Sequence, residues 1–324
     1  MNRTSGATAT TEAAVDWLTR HADPINSFDT RAESDDLRPL AEAVAGAEIV
    51  ALGVGSRATH ELSAVQHRIL RLLVEEQGFR SLLLEGDDPV RLGLDAYVLT
   101  GAGDPEALLS EARSFWRTGE ILGVLRWMRA HNERDPHDPV HLAALSSQAP
   151  PPGAGLAEIE RRLADDAIRW HENTRHKTVY WGGLVHTAVG DPRTVSSPEP
   201  ETHRNAGGHL REHFGDGYAS IGLTFHHGAD HPVPPAGFSE AALGAADLPA
   251  YFLDLRAPRP ADVDAWFGAP ATTRVVGPFY DAREDADHHL SGGSLTEWFD
   301  AVVHVREVTP ARPLHGRPGR RVQT

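Results

Sequence analysis

The chain has 324 residues, contains no cysteine and carries a formal net charge of −15 at pH 7. The lack of thiols excludes disulfides, cysteine nucleophiles and thiolate metal sites, and the negative charge argues against nucleic acid or an anionic membrane as a partner. The length can bury one large α/β core or two smaller ones, and no apolar run is long enough to span a bilayer.

We expect a single domain over residues 13–313, between disordered ends at residues 1–12 and 314–324. The N-terminus lacks the apolar core of a signal peptide, so we expect a cytoplasmic protein. Every basic side chain except Lys177 is Arg or His, and Ala, Pro and Gly are abundant. This bias is typical of GC-rich genomes, and we therefore expect an actinobacterial source.

The first predicted strand is a near-continuous apolar run at residues 48–53, as expected for a strand that is buried on both faces. Two helices over residues 13–46 precede it. A helix follows it, because apolar side chains recur at helical spacing from Leu62 onward, and Gly78 is a suitable residue to end that helix. Residues 81–85 form a second buried strand. This βαβ unit favours parallel strands joined by a right-handed crossover.

The rest of the chain continues to alternate between helices and strands. Residues 89–132 are predicted to be helical, and a further helix covers residues 156–173. Pro192–Asn205 is predicted to be a polar loop. Further strands are predicted at residues 140–145, 178–181, 219–225, 251–255 and 301–305. We therefore expect an α/β fold with a mainly parallel sheet flanked by helices.

Two polar segments are expected to meet at one edge of this sheet. Residues 53–57 follow the first strand, and residues 85–88 follow the second. Ligands of such sheets bind at the carboxyl ends of the strands, where both segments lie. We therefore expect a cleft at that edge.

Residues 51–62 read Ala-Leu-Gly-Val-Gly-Ser-Arg-Ala-Thr-His-Glu-Leu. This turn resembles the signature of the erythromycin esterase superfamily, Leu-Gly-Glu-x-Thr-His-Gly-x-His-Glu. Other blocks resemble that family in the same order along the chain, at residues 116–120, 125–132, 179–188, 208–225, 253–256, 299–302 and 312–314. The resemblance implies an erythromycin-esterase-like fold over the full length, with a shortened helical cover of the cleft near residues 149–156.

The resemblance also implies a site in which a His of the first turn acts as base on a water that attacks an ester or lactone. Carboxylates, an Arg and two further His support that reaction in the family. Four of these positions depart from the family pattern in this chain, namely Val54, Arg57, Gln66 and Gly183. Four are retained, namely His60, Glu61, Glu85 and His186. The family's base corresponds to Arg57, so the usual mechanism is put in doubt.

The chemistry of the residue types gives each candidate two interpretations. Arg57 stays protonated and cannot be a general base, so it either binds an anionic group or pairs with Glu85 or Glu61 and fills the site. Glu85 either performs acid or base chemistry or holds the turn as a hydrogen-bond acceptor. His186 can exchange a proton near neutral pH, or it is a satisfied histidine at a helix start.

His60 and Glu61 begin a helix, where Glu61 favours the positive end of the helix dipole. His60, Glu85 and His186 could together bind Fe, Mn or Zn, but no close ligand spacing supports this, and we expect no metal. The chain has neither a Gly-x-Ser-x-Gly motif nor a complete dinucleotide fingerprint, so we expect no cofactor. The expected catalytic residues are Glu85, His186 and His60. The expected substrate-binding residues are Arg57, Glu61, Asp88, Trp181 and Arg117.

These features predict a divergent enzyme of the erythromycin esterase family that acts on a small-molecule natural product as a tailoring enzyme of secondary metabolism. Its acid–base chemistry is either ester or lactone hydrolysis, or cyclisation, elimination or isomerisation. The alternative is a catalytically inactive family member that acts as a ligand-binding or accessory protein. An ordinary macrolide-resistance esterase is disfavoured by Arg57. The substrate and the oligomeric state stay open.

Overall fold

The computed structural model of the protein describes residues 3–57, 59–145, 153–196, 199–277 and 280–314. The helices of this part are α1 (Arg3–His21), α2 (Arg38–Ala43), α3 (His60–Gln77), α4 (Leu94–Thr100), α5 (Pro105–Leu109), α6 (Gly119–Arg134), α7 (Leu156–Thr174), α8 (Leu184–Thr187), α9 (Ala206–Phe214), α10 (Ser239–Leu243), α11 (Ala261–Phe267) and α12 (Leu295–Trp298). Its strands are β1 (Asp23–Pro24), β2 (Ile49–Val54), β3 (Phe79–Leu84), β4 (His141–Leu142), β5 (Lys177–Gly183), β6 (Arg193–Ser196), β7 (Pro200–His203), β8 (Tyr218–Gly228), β9 (Ala250–Asp254), β10 (Thr273–Arg274), β11 (His289–Ser291) and β12 (Ala301–Val308).

Eight strands form one large sheet in the order β1-β9-β12-β8-β2-β5-β3-β4. The six strands from β12 to β4 run parallel to their neighbours, whereas β9 is antiparallel to β12 and β1 is antiparallel to β9. Helices cover the sheet, and every residue of the central strand β2 is buried. The expected α/β fold with a mainly parallel sheet is confirmed.

Small residues let the elements around β2 approach closely. A Cβ at Gly53 would overlap the Thr187 hydroxyl and come within 2.9 Å of the Leu184 Cα, so α8 packs directly on this strand. The helix α3 ends as expected at Gly78, whose positive φ of 72° is the left-handed conformation that favours glycine. The first βαβ unit therefore forms as the sequence indicates.

Several elements differ from the sequence-based expectation. The helix α1 begins at Arg3, so it includes most of the segment 1–12 that we expected to be disordered; its many alanines favour helix. The predicted polar loop at Pro192–Asn205 contains β6 and β7, which join β10 and β11 in a separate antiparallel sheet of four strands. The segments 146–152 and 315–324 lie outside the described residues. They include part of the region 149–156, where we expected a shortened helical cover, and most of the tail 314–324, which we expected to be disordered.

None of the helices in the described segments has both the length and the apolar character needed to cross a lipid bilayer.

Candidate active site

Three predicted site residues meet at the carboxyl ends of adjacent parallel strands. Arg57 follows β2, Glu85 directly follows β3, and His186 lies in α8 directly after β5. The turn that carries Arg57 is fixed by two backbone hydrogen bonds, from the Gly55 N–H to the Leu223 carbonyl and from the Val276 N–H to the Gly55 carbonyl, each 2.8 Å long. The sheet edge at which we expect a cleft therefore carries these three side chains together.

Arg57 forms an ion pair with Glu85, in which Nη2 donates to the Glu85 Oε1. Both side chains are largely buried, at 16% and 6% exposure. The second oxygen of Glu85 accepts the Gly183 N–H at 3.0 Å. The Trp116 Nε1 donates to the Glu85 backbone carbonyl at 3.2 Å, which fixes the start of the loop after β3. Of the two interpretations of Arg57, the pairing with Glu85 is the contact that the structure shows.

Two consecutive glycines make room for this ion pair. A Cβ at Gly182 would overlap the Glu85 carboxylate, and a Cβ at Gly183 would come 2.8 Å from the Arg57 Nη2. Gly183 stands where the family resemblance implies a histidine, and Arg57 stands where it implies another. The two departures are therefore linked, because the Arg57 guanidinium lies where a side chain at position 183 would begin.

His186 lies between two carboxylates. Its Nδ1 donates to the Glu160 Oε1 at 2.6 Å, and its Nε2 lies 3.5 Å from the Glu85 Oε1. The first contact is a short charge-assisted hydrogen bond, whereas the second is too long for a good one. Nε2 is thus the ring nitrogen that remains available to a substrate, and the His186 side chain is 19% exposed.

Glu160 is a functional candidate that the sequence did not reveal. It lies in α7 and is 1% exposed. Its Oε2 accepts the Ala206 N–H at 2.8 Å, and His203 lies 3.7 Å from its Oε1. Burial alone would raise the pKa of the Glu160 carboxyl, but the charge of His186 and the hydrogen bonds to Glu160 outweigh burial and lower the pKa to about 2.

The same contacts determine the protonation of His186. Burial lowers the pKa of the imidazole, but the neighbouring Glu160 and Glu85 carboxylates outweigh burial and the charge of Arg57, so that the pKa of His186 is raised above 6.5. The two carboxylates therefore favour the protonated form of His186. Arg57, Glu85, His186 and Glu160 form a chain of alternating charges, which we call the site cluster.

Buried polar atoms without a hydrogen-bond partner among the described residues surround Glu160. They belong to the Tyr180 hydroxyl, both ring nitrogens of His203 and the side-chain amide of Asn205. Such atoms in a folded protein are usually satisfied by ordered water. Burial, followed by the charges of Glu85 and Glu160, raises the pKa of Tyr180, so its hydroxyl keeps its proton.

His60 and Glu61 do not join the site cluster. The His60 Nδ1 donates to the Glu120 Oε1 at 2.9 Å, while Glu61 accepts hydrogen bonds from the Thr309 N–H at 2.6 Å and hydroxyl at 2.8 Å. Glu120 also accepts the Arg312 N–H at 3.0 Å. The described contacts of both side chains lie elsewhere: Glu61 holds Thr309, and His60 shares Glu120 with Arg312. We call these interactions the C-terminal contact. The roles expected of His60 in catalysis and of Glu61 in substrate binding stay predictions.

The remaining substrate-binding candidates are placed in different environments. Trp181 is 2% exposed and packs in the hydrophobic core, so its side chain has almost no surface to offer a ligand. Asp88 is half-buried and accepts the Arg91 N–H at 3.3 Å within the loop after β3. Arg117 is exposed and follows Phe115 and Trp116, which pack beside Arg57.

The alternative metal site of His60, Glu85 and His186 does not form, because His60 faces Glu120 instead. Among the residues that the structure describes, no group of three or more His, Asp or Glu side chains could hold a metal ion.

Comparison with known proteins identifies relatives of the chain. A family model described as erythromycin esterase matches residues 74–149 and 153–308, which is more than half of the chain. The protein YbfO of Bacillus subtilis (strain 168), whose name assigns it a hydrolase activity provisionally, is 26% identical over 134 residues. That match spans 41% of this chain and only 29% of YbfO.

Solved structures show the same fold over nearly the whole chain. A Bacillus cereus protein has a TM-score of 0.75 at 21% identity, over 94% of this chain and 99% of that one. A protein described as a succinoglycan biosynthesis protein has a TM-score of 0.79 at 18% identity, over the same shares. A mutant of the erythromycin esterase EreC in its open conformation has a TM-score of 0.62 at 13% identity, over 86% of this chain and 95% of that one.

Proposed function

Because the chain belongs to the erythromycin esterase family, we propose that it is a divergent enzyme that performs acid–base chemistry on a small-molecule natural product. The description of the family points to hydrolysis of an ester, and the name of YbfO also points to hydrolysis. The actinobacterial source, the tailoring role in secondary metabolism and the cytoplasmic location belong to the same proposal.

The observation that carries this proposal is the position of His186 between Glu160 and Glu85. Glu160 fixes the imidazole through Nδ1 and raises its pKa, so that Nε2 is directed towards Glu85 and can carry a proton there. A histidine oriented by one buried carboxylate and facing a second is suited to transfer a proton to a reacting oxygen.

For ester or lactone hydrolysis, Glu85 and His186 can together carry out every proton transfer that the reaction needs. Water adds its oxygen to the carbonyl carbon while Glu85 takes one of the water's protons. His186 gives its Nε2 proton to the alcohol oxygen as the C–O bond breaks. The proton on Glu85 then returns to His186 across the 3.5 Å between their atoms. Free N–H groups of Arg57 would stabilise the negative charge on the carbonyl oxygen.

The same pair supports cyclisation, elimination or isomerisation, since each of these reactions removes a proton at one atom and adds one at another. No activated water is needed for them. Glu85 would remove the proton and His186 would donate one. Hydrolysis and these alternatives differ in the mass of the product, which distinguishes them.

The test combines substrate identification with two matched variants. Deletion of the gene in its source organism should cause one metabolite to accumulate, and purified protein should convert that metabolite into a product whose mass gives the reaction. We expect Glu85→Gln and His186→Gln to lower turnover by about a hundredfold to ten-thousandfold while the circular dichroism spectrum is unchanged. Glu172→Gln, an exposed position on α7, is the control. Full turnover in both site variants would exclude the proposed mechanism.

The direct Arg57–Glu85 ion pair favours a second candidate function, that of a binding or accessory protein without catalysis. In that case Arg57 and Glu85 mainly satisfy each other. Binding of the accumulated metabolite without any conversion, and an unchanged chemical form after long incubation, would support this candidate. Conversion that either variant abolishes would exclude it.

A further inference from the structure

The guanidinium of Arg57 has hydrogen-bond donors that the protein does not use. Its Nη2 donates to Glu85. Its Nε is buried and has no hydrogen-bond partner among the described residues, and Nη1 donates to none of them either. A buried donor left without an acceptor is costly, so a group with this many free donors is expected to have an acceptor when the site is in use.

The same guanidinium is held in a fixed orientation. Its central carbon lies 4.7 Å from the ring centroid of Phe115, within the range of a cation–π contact. On another side, the Nη2 would lie 2.8 Å from a Cβ at position 183 if Gly183 carried one. A planar fork held between an aromatic ring, a glycine and the Glu85 carboxylate is well suited to bind the oxygens of an anion.

Three further arginines lie on the loops between β3 and α6, and we call them the cationic rim: Arg91, Arg113 and Arg117. The Arg113 guanidinium lies next to Gly86, with its Cζ 3.4 Å from where a Cβ would stand. Phe115, which contacts Arg57, lies in the chain between Arg113 and Arg117. All three rim side chains are exposed.

One of the three rim arginines forms an ion pair with a carboxylate among the described residues. Asp87 is buried and pairs with Arg113, at 3.8 Å between Oδ1 and Nε. Asp88 accepts a backbone N–H. Arg91 and Arg117 form no ion pair with any residue that the structure describes, although their charges reach Asp87 and act to lower its pKa, which burial raises. Arg91 and Arg117 therefore carry positive charge without an ion-pair partner among the described residues, in a chain of net charge −15.

We propose that Arg57 and the cationic rim bind an oxyanion, and that the substrate therefore carries a carboxylate or a phosphate. The proposal rests on the proposed function, because it names the class of substrate for the same cleft. The anionic group accepts hydrogen bonds from the free donors of Arg57, and the rim increases the rate at which an anionic molecule meets the cleft.

Binding of simple anions tests this proposal without any need for turnover. We would titrate the full-length protein with inorganic phosphate and, separately, with sodium acetate, by calorimetry in a chloride buffer of constant ionic strength. We expect saturable binding of at least one of them, and the preferred anion distinguishes phosphate from carboxylate. Absence of binding by either anion at concentrations up to tens of millimolar would overturn the proposal.

Three variants locate the bound anion. Arg57→Gln should weaken binding by about tenfold or more, as expected for the loss of a charge-assisted hydrogen bond. Gly183→Ala should weaken it similarly, because the added Cβ displaces the guanidinium, whereas Gly123→Ala, where no atom lies within 4 Å of the added Cβ, should bind as the wild type does. Arg117→Gln, at an exposed position, should weaken binding less and keeps the test valid if the two site variants fail to fold. Unchanged binding in Arg57→Gln and Arg117→Gln would contradict the proposal.

Failure of this inference and failure of the proposed function have different outcomes. Anion binding at Arg57 together with no turnover of any substrate would keep the oxyanion site and reject the enzyme. Turnover of a neutral substrate, with no binding of phosphate or acetate, would keep the enzyme and reject the oxyanion site.

Discussion

Two His–Glu pairs with the same geometry have different surroundings in this protein. In the site cluster, the His186 Nδ1 donates to a buried Glu160 at 2.6 Å, and in the C-terminal contact, the His60 Nδ1 donates to a buried Glu120 at 2.9 Å. The difference lies in the other contacts of each pair. The second nitrogen of His186 faces the Glu85 carboxylate, whereas Glu120 is also bound by the main chain and side chain of Arg312.

This comparison shows that a His–carboxylate pair is not by itself a catalytic unit. What matters is which group faces the second ring nitrogen and what else the carboxylate holds. His186 presents a proton between two carboxylates at the end of the parallel strands. Glu120 is satisfied by His60 and a neighbouring chain segment, and these hydrogen bonds outweigh its burial and lower its pKa. We therefore expect the first pair to affect turnover and the second to affect stability.

The largest expected effect separates the two pairs by activity. Glu160→Gln removes the charge that raises the pKa of His186 but preserves an oxygen that can accept the Ala206 N–H. We expect turnover of the natural substrate to fall by about a hundredfold or more, and the pKa of His186, followed by NMR, to fall. Glu120→Gln is the matched control and should retain turnover. Equal losses in both variants would remove the distinction between the pairs.

The next effect separates them by stability. Glu120→Ala leaves His60 and the Arg312 N–H without their acceptor. We expect the free energy of unfolding in urea to fall by about 1–3 kcal/mol, the usual cost of unsatisfied hydrogen-bonding groups. Residues near 309–314 should also become more sensitive to proteolysis, as judged by mass spectrometry of the fragments. An unchanged cleavage pattern would show that the C-terminal contact does not depend on Glu120.

The third effect concerns the pH dependence of stability. The pKa of His186 is higher in the folded protein than its ordinary value of 6.5, so the folded state binds this proton more tightly. The resulting stability is fully present below pH 6.5 and is lost as the pH rises through the raised pKa of His186. Urea unfolding across this range should show the decline in the wild type and a smaller decline in His186→Gln. A decline of equal size in both would assign it to other groups.

The stability that Glu160 contributes depends on pH in the opposite direction to that of His186. Its pKa is lowered to about 2 from an ordinary value of 4.5. The stability that it contributes is therefore present above pH 4.5 and is lost as the pH falls through this lowered value. The site cluster as a whole should therefore stabilise the fold most between pH 4.5 and pH 6.5.

The meeting of Arg57, Glu85 and His186 could be predicted because parallel strands align their carboxyl ends at one edge. The environment of His60 could not be predicted in this way. His60 begins α3 three residues after Arg57, and its partner Glu120 lies 60 residues away in the chain. Motif spacing gives the order of residues but not the direction of each side chain as the chain turns into a helix.

Glu160 was missed because it belongs to no motif, yet the sequence held a signal for it. It lies on the same face of α7 as Ala164, Ala167 and His171, and all four are buried. A carboxylate on the inward face of an amphipathic helix requires a partner, since burying an unpaired charge is costly. The small sheet that includes β6 and β7 was also missed, because strands of four residues or fewer carry too little periodicity to be recognised.

The smallest expected effect refines the comparison within the C-terminal contact. Glu61 accepts two hydrogen bonds from Thr309, but this interaction is at the surface, where water can replace it. Glu61→Gln keeps an oxygen that can accept one of these bonds, so we expect a loss of less than about 1 kcal/mol in the free energy of unfolding and no change in turnover. Because Glu61 also belongs to the motif that resembles the family's active-site turn, a loss of turnover at unchanged stability would show that this turn contributes to the chemistry. Glu61 would then have to be counted with the residues that support catalysis, and not only with the C-terminal contact.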